Sequence, residues 1–284
     1  MSPSPLSIVN STVSDNHGGT GGDGGYGGNR CGDGGDGGYG GGAWLNVAGD
    51  VESSTFSGNI AGNGGLSCDN TRNAAEHGSG GNGGGIYKAY DSLTITNATI
   101  SGNSAGHGAA DLGVGGSGGG LYIVDLTVLR NSTIVGNHAP LGGSGGGMWN
   151  DNAYFLVSDT LLAANDAGGS GPDCSGYFFS VGYNFIQNTT GCHVYGDPTG
   201  NIFDRPALIG PLALNAPGTT ETHALLPDSP AINAGSCSDG AITTDQRGVP
   251  RPQGVACDIG AYEREESAQQ PLPIYLPLIR GTGS

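Results

Sequence analysis

What most constrains this chain is a phrase that recurs four times: a glycine triplet, an apolar and an aromatic residue, then a short Thr-hydrophobic segment ending in Asn. Gly83-Gly84-Gly85-Ile86-Tyr87 leading to Thr99-Ile100-Ser101-Gly102-Asn103 is the cleanest copy. The others run from 40–44 to 55–59, from 118–122 to 133–137 and from 145–149 to 160–165, the last with one extra residue. A partial copy, Asn10-Ser11-Thr12-Val13-Ser14-Asp15-Asn16, opens the chain. Repeats of this size are supersecondary units that bury an apolar face only by stacking on their neighbours.

Setting the copies in register over residues 6–167 brings Ile8, Val51, Ile95, Leu129 and Leu156 into one apolar column and Val13, Phe56, Ile100, Ile134 and Leu161 into another. Within a copy, Leu93-Thr94-Ile95 and Ala98-Thr99-Ile100 alternate with period two, the spacing of short strands with one face inward. Helical repeats are excluded, because i, i+3, i+4 apolar spacing is missing and each of the 59 glycines costs about 1 kcal/mol in a helix. The expected fold is all-β: a right-handed parallel β-helix, a β-solenoid, with the aromatic-bearing segments as the third strand of each coil.

The spacing varies at one corner only. From triplet to Thr the count holds at 13 or 14, whereas from Asn to the next triplet it is 24, 24, 15 and 8. Insertions therefore leave from one edge and stack together. In the first, residues 17–42, Thr20, Asp23 and Tyr26 and then Asp33, Asp36 and Tyr39 punctuate Gly-Gly at a three-residue period. Two readings are open: polyglycine II helices pairing through their backbones, or a loop without fixed structure, since ordering glycine is entropically costly.

Asn16, Asn59, Asn103, Asn137 and Asn165 share one position, which suits a structural asparagine ladder at a corner. The sequon-like Asn10, Asn97 and Asn131 sit inside the expected strands and read as ladder positions and not as glycan acceptors. His17, His107 and His138 follow ladder positions and could make a metal-binding row, or stand as solvated turn residues.

Nine Lys+Arg against 25 Asp+Glu give a formal charge of −16, which argues against nucleic acid and anionic membranes as partners. No cofactor is expected. Calcium is the ion to consider, with Asp23, Asp33 and Asp36 as weak ligand candidates, although they lack the apolar residue that calcium-binding glycine repeats carry. Six cysteines without a Cys-x-x-Cys spacing suggest disulfides in an oxidising compartment: Cys174 lies near Cys192, Cys237 near Cys257, and Cys31 and Cys68 remain, with fifteen pairings possible in principle. Met1-Ser2-Pro3-Ser4-Pro5 runs straight into a repeat, so any export leader is expected upstream.

Residues 1–200 divide into repeats with glycine-rich insertions and, from 170, an aromatic stretch that reads as further coils closing the open end. Residues 201–263 are the most recognisable text: Leu208-Ile209-Gly210-Pro211-Leu212, then Thr222-His223-Ala224-Leu225-Leu226-Pro227-Asp228-Ser229-Pro230-Ala231-Ile232-Asn233-Ala234-Gly235, Thr244-Asp245-Gln246-Arg247-Gly248-Val249-Pro250-Arg251-Pro252 and Cys257-Asp258-Ile259-Gly260-Ala261-Tyr262-Glu263. This block resembles the ending of bacterial choice-of-anchor Q surface proteins. The resemblance implies a pectate-lyase-like parallel β-helix, export and the cell surface, but no particular activity. Asp245 and Arg247 read as an ion pair within this cap. Residues 264–284, too short and proline-broken to span a bilayer, read as a linker or sorting tail, or as an apolar strand that docks on the solenoid.

A lyase of this shape would need a basic residue beside strand-borne carboxylates, and a glycosidase two or three aspartates on adjacent coils. Arg30, Arg72, Lys88 and Arg130 lie near no such cluster, and Asp91, Asp125, Asp151 and Asp159 qualify by spacing alone. The leading expectation is therefore a non-enzymatic, secreted or cell-surface structural or adhesive protein, with self-association into fibres by coil stacking as a variant. The alternative is binding or degradation of a polysaccharide, with Trp44, Tyr87, Tyr122 and Trp149 as sugar-stacking candidates, and a third is ice binding.

Overall fold

The computed structural model describes residues 5–27, 30–68, 75–150 and 154–265. The tail from 266 onward, Arg72 and Asp151 lie outside the described residues. The described chain is all-β apart from two 3-10 turns, at Ala109–Asp111 and Cys237–Gly240.

Three columns of parallel strands carry the repeats. Leu6–Val9, Gly49–Glu52, Leu93–Thr96, Thr127–Arg130 and Phe155–Ser158 stack in the first. Thr12–Ser14, Thr55–Ser57, Thr99–Ser101, Thr133–Val135, Leu161–Ala163, Phe185–Ile186 and Ile202–Phe203 stack in the second. Ala43–Leu45, Ile86–Lys88, Leu121–Ile123 and Met148–Asn150 make the third. The long strand Cys174–Ser180 pairs with Met148–Asn150 through its start and with Phe155–Ser158 through its end, joining the first and third columns into one sheet.

Ile8, Val51, Ile95 and Leu129 follow one another in register, as do Val13, Phe56, Ile100 and Ile134. The last repeat departs by one residue from the alignment above: Leu129 faces Val157 and not Leu156, and Ile134 faces Leu162 and not Leu161. Ile123 pairs with Asn150 and Thr127 with Phe155, so the offset between the two repeats grows from 27 to 28 between those pairs. The extra residue therefore enters before Phe155, where a one-residue slip would otherwise turn the apolar set outward.

The inward residues of all three columns form one core, including Phe56, Ile86, Leu93, Ile100, Leu121, Ile134 and Phe155. Each such side chain, fully buried, contributes roughly 1.5–3 kcal/mol of transfer free energy. Two kinds of left-handed corner turn the chain from column to column. Asn10, Ser53, Asn97, Asn131 and Asp159 have φ between 43° and 48° after the first column. After the second come Asp15, Gly58, Gly102, Gly136 and Ala164, with φ between 53° and 67°. Asn, Asp and Gly recur at these corners because they tolerate αL most cheaply.

The glycine triplet has a divided job. Its first residue adopts positive φ, 70° at Gly83, while a Cβ on the second would sit 2.3 Å from Ser104 backbone at Gly84. Gly171-Pro172-Asp173-Cys174 is a fifth, degenerate copy: Gly171 has φ 70°, and Cys174 pairs with Met148.

Residues 208–263 do not sit over the end of the stack alone. They run back along the outer face of the second sheet as far as Thr55, so that its strands from Thr55–Ser57 to Phe185–Ile186 are buried on both sides. Val135, Leu161, Ala163 and Phe185 pack outward against Ala207, Leu225, Ala231 and Ile259 in a second core. Toward the first repeats the contact turns polar: Thr55 and Thr99 bond Gln246, Thr133 Oγ1 accepts from the Ala261 N–H, and Ser101 pairs with His223 at 2.9 Å. Arg247 and Asp245 form a buried ion pair at 2.8 Å, as do Arg251 and Glu263 at 2.9 Å.

Three disulfides, Cys31–Cys68, Cys174–Cys192 and Cys237–Cys257, leave no described cysteine free, the chemistry of an oxidising environment. No helix among the described residues is long and apolar enough to cross a membrane.

Candidate functional site

The insertions form a hydrogen-bonded ridge along one edge. Gly18, Gly21 and Gly24 donate to the carbonyls of Ile60, Asn63 and Leu66, while Gly32, Gly35 and Gly38 donate to Gly25, Gly22 and Gly19. Gly34, Gly37 and Gly40 continue to Glu76, Ser79 and Asn82, and Gly65 and Gly62 donate to Gly35 and Gly38. Every third residue points its N–H at a neighbouring segment, the period of a helix with three residues per turn. Glycine is compulsory where a residue faces a neighbouring segment, whereas Gly19, Gly22 and Gly25 face open space. A Cβ on Gly37 would lie 1.8 Å from the Gly62 carbonyl oxygen, and one on Gly62 1.9 Å from that of Gly19.

The residues between the glycines stitch the ridge lengthwise. Oδ1 of Asp23 accepts from the Leu66 N–H at 2.9 Å, Oδ1 of Asp33 from Glu76 at 2.9 Å, and Oδ1 of Asp36 from Ser79 at 2.8 Å. Asn63 and Asn82 do the same for His107 and Ser117. The three aspartates considered as calcium ligands thus each cap a different backbone donor on the next segment. No group of three or more His, Cys, Asp or Glu among the described residues is placed to hold a metal ion. The corner column that begins at His17 continues through Ile60, Ser104 and His138, so His107 is not in it and the histidines do not stack.

Behind the ridge runs the asparagine ladder. Asn16, Asn59, Asn103 and Asn137 each donate their backbone N–H and Nδ2–H to Oδ1 of the next, at 2.9 to 3.1 Å, ending on Asn165. Nδ2 of Asn59, Asn103, Asn137 and Asn165 also donates to a carbonyl of the preceding repeat, satisfying these buried amides. The sequon-like Asn97 and Asn131 are buried, and Asn97 donates to the Thr244 carbonyl.

On the opposite side of the triplets an aromatic stack runs along the third column. Tyr39, Tyr87, Tyr122 and Trp149 lie ring on ring, with centroids 4.9, 5.0 and 4.3 Å apart. Tyr39, outside the repeat phrase, takes the end position. Trp44 pairs in register with Tyr87 but joins no stack among the described residues and stays 50% exposed. The interior rings thus spend their faces on each other, which leaves edges and the two ends toward solvent.

Among the described residues Asp91 and Asp125 meet across adjacent repeats and both bear on the Lys88 ammonium, which corrects the expectation that Lys88 lies near no carboxylates. Asp125 accepts the N–H groups of Asp91 and Leu126, and both carboxylate oxygens of buried Asp159 accept from Ser236. Lys88 is wholly buried, its ammonium donating to the carbonyls of Val47 and Tyr90. Burial lowers its pKa, opposed by Asp91 and Asp125. Sequence reasoning missed Tyr39 because it precedes the triplet, and Asp173 because its copy of the triplet has lost two glycines. In comparisons with known proteins, no family model, no curated protein and no solved structure matches this chain.

Proposed function

We propose that this protein is a non-enzymatic, extracellular structural or adhesive protein built on a right-handed parallel β-helix, with its glycine ridge folded as a polyglycine II bundle and serving as the contact surface. The observation that carries this reading is the ridge itself. Backbone bonds at every third residue and the Asp and Asn stitches hold a broad side of the molecule as one pre-ordered surface, in which exposed glycines alternate with exposed Thr20, Asp23, Asp33 and Asp36. A surface ordered in advance binds without the entropic cost of ordering a loop. The three disulfides and the resemblance of residues 201–263 to choice-of-anchor Q proteins support export and the cell surface.

The test is incubation with a panel of polysaccharides and bacterial envelopes, with calcium present, reading binding and release of unsaturated or reducing ends in parallel. Retention without products is expected, and stoichiometric turnover would overturn the reading. A polysaccharide-binding version of the same scaffold is favoured by one observation, the half-exposed Trp44 beside the end of the aromatic stack. Loss of retention in Trp44→Ala, with ridge variants unaffected, would select it.

A further inference from the structure

A second apolar feature lies away from the ridge, on the outer face where Cys174–Ser180 bends between two columns. Here a groove of about 340 Å³ has Phe155 and Phe178 as its floor, edge to face at 6.3 Å, and Tyr154, Tyr177, Phe179 and Tyr195 as its walls. The floor residues are core residues, 1% and 4% exposed, whereas the walls stand 86%, 47%, 50% and 56% exposed. Tyr177 and Tyr195 hold each other at 5.8 Å, and His193 backs Tyr177 at 4.8 Å. Four large rings gathered around one depression mark a binding surface, because scattered apolar residues do not make such a concavity.

The chain itself supplies an occupant. Nineteen residues follow Glu265, and they include Pro271-Leu272-Pro273-Ile274-Tyr275-Leu276-Pro277-Leu278-Ile279. Proline fixes φ near −65° and pushes its predecessor to extended conformations, so such a segment favours a polyproline II form with outward carbonyls and apolar side chains. Aromatic-lined grooves accept that form, the rings packing on proline and the tyrosine hydroxyls donating to its carbonyls.

The last described residues also lie within reach of the groove. Arg264 donates its N–H to Asp258, Arg251 bonds the carbonyls of both Asp258 and Gly260, and Gly260 donates to the carbonyl of Asp159. Asp159 directly follows Phe155–Ser158, the strand that brings Phe155 and Leu156 to the groove. Pro271 lies seven positions beyond Arg264, a reach of up to about 23 Å. Leu156 is three residues from Asp159, about 10 Å along the strand. Docking in cis also profits from an effective concentration in the millimolar range.

We propose that the proline-bearing tail, residues 271–279, docks in the aromatic groove of its own chain. The proposal stands apart from the adhesive reading, which concerns the ridge. Its test is photo-cross-linking in the full chain with Tyr275 replaced by benzoylphenylalanine. The expected product is intramolecular, maps to 154–156, 177–179 or Tyr195, and is independent of protein concentration. Tyr177→Ser combined with Phe179→Ser should lower its yield about tenfold, in protein whose circular dichroism and thermal midpoint show that the fold persists. Cross-links mapping elsewhere, products only between molecules and rising with concentration, or no product at all would each overturn the proposal. So would competition by a soluble oligosaccharide that occupies the groove while the tail remains free.

Discussion

Asn165 donates both its backbone N–H and its Nδ2–H to one oxygen of Asp173, at 3.2 and 2.8 Å, and this bond ends the asparagine ladder on an acceptor. All the ladder amides point the same way, each giving two hydrogens to the next repeat. A carboxylate, which accepts and never donates when ionised, is therefore the fitting last member, and its second oxygen takes the Asn188 N–H at 2.7 Å.

The first prediction tests that end. In Asp173→Asn one of the two oxygens becomes an NH₂ group facing a donor, whichever way the amide is turned. A buried unmatched donor costs about 1–3 kcal/mol. Chemical denaturation should show a loss of that size, while Asn16→Ala, at the exposed start of the ladder, should cost less.

Steric demand in the ridge can be read by a matched pair of substitutions. Gly62→Ala places a methyl 1.9 Å from the Gly19 carbonyl oxygen, whereas Gly22→Ala meets nothing within 4 Å. Gly22→Ala should stay within about 0.5 kcal/mol of wild type. Gly62→Ala should cost more than about 2 kcal/mol, or part the first insertion from the second, visible as faster amide exchange at Gly21, Gly24 and Gly65.

The disulfide Cys31–Cys68 ties these two segments across 37 residues. Closing a loop of that length is worth about 3–4 kcal/mol in the chain-entropy treatment. Cys31→Ser with Cys68→Ser should therefore lower stability by up to that amount. Amide exchange should rise in the ridge while Thr99–Ser101 and Thr133–Val135 keep their protection.

Two buried groups in residues 208–263 give opposite pH dependences. Burial raises Asp258 to a pKa of about 6, with the N–H groups of Arg264 and Asn233 opposing. The folded pKa exceeds the unfolded value near 3.9, so the folded chain binds the extra proton, and this contribution, full below about pH 4, is lost as pH rises through 6. His223 behaves inversely. Burial lowers its pKa, against the Gly210 carbonyl, so its contribution is present above about pH 6.5 and lost on acidification. Between pH 7 and pH 5, Asp258→Asn should lose stability relative to wild type, and His223→Asn should gain. Denaturant midpoints at the two pH values decide the signs.

Much of the repeat architecture is legible because it is written in short periods. Alternation in Leu93-Thr94-Ile95 gives a strand, and the recurrence of Ile8, Val51, Ile95 and Leu129 gives the neighbours it stacks on. The reading slips where the count changes: the residue added before Phe155 moves Val157 and Leu162 into the places aligned with Leu156 and Leu161. Nothing local to that repeat distinguishes adjacent apolar residues, and only the neighbouring strand does. The place of Tyr39 in the aromatic stack is illegible for a related reason, since the insertion returns it to the end of the stack through space and not through the repeat.

By itself, the sequence determined that this chain is β-structured, that its repeats stack in parallel, and that its insertions leave from one edge, because each follows from a period the chain carries locally. Only the tertiary structure decided what the variable parts touch. It put Asp23, Asp33 and Asp36 on backbone donors of neighbouring segments, turned the interior aromatic rings onto one another, and laid residues 208–263 along the second sheet. Those outcomes depend on which groups meet across some 27 to 190 residues of sequence, where no periodicity carries information and hydrogen-bond satisfaction and close packing alone choose the partner. The glycine triplets stand at the boundary of the two: the sequence shows where each insertion rejoins the stack, and the packing shows that a methyl group there would meet the next repeat's backbone.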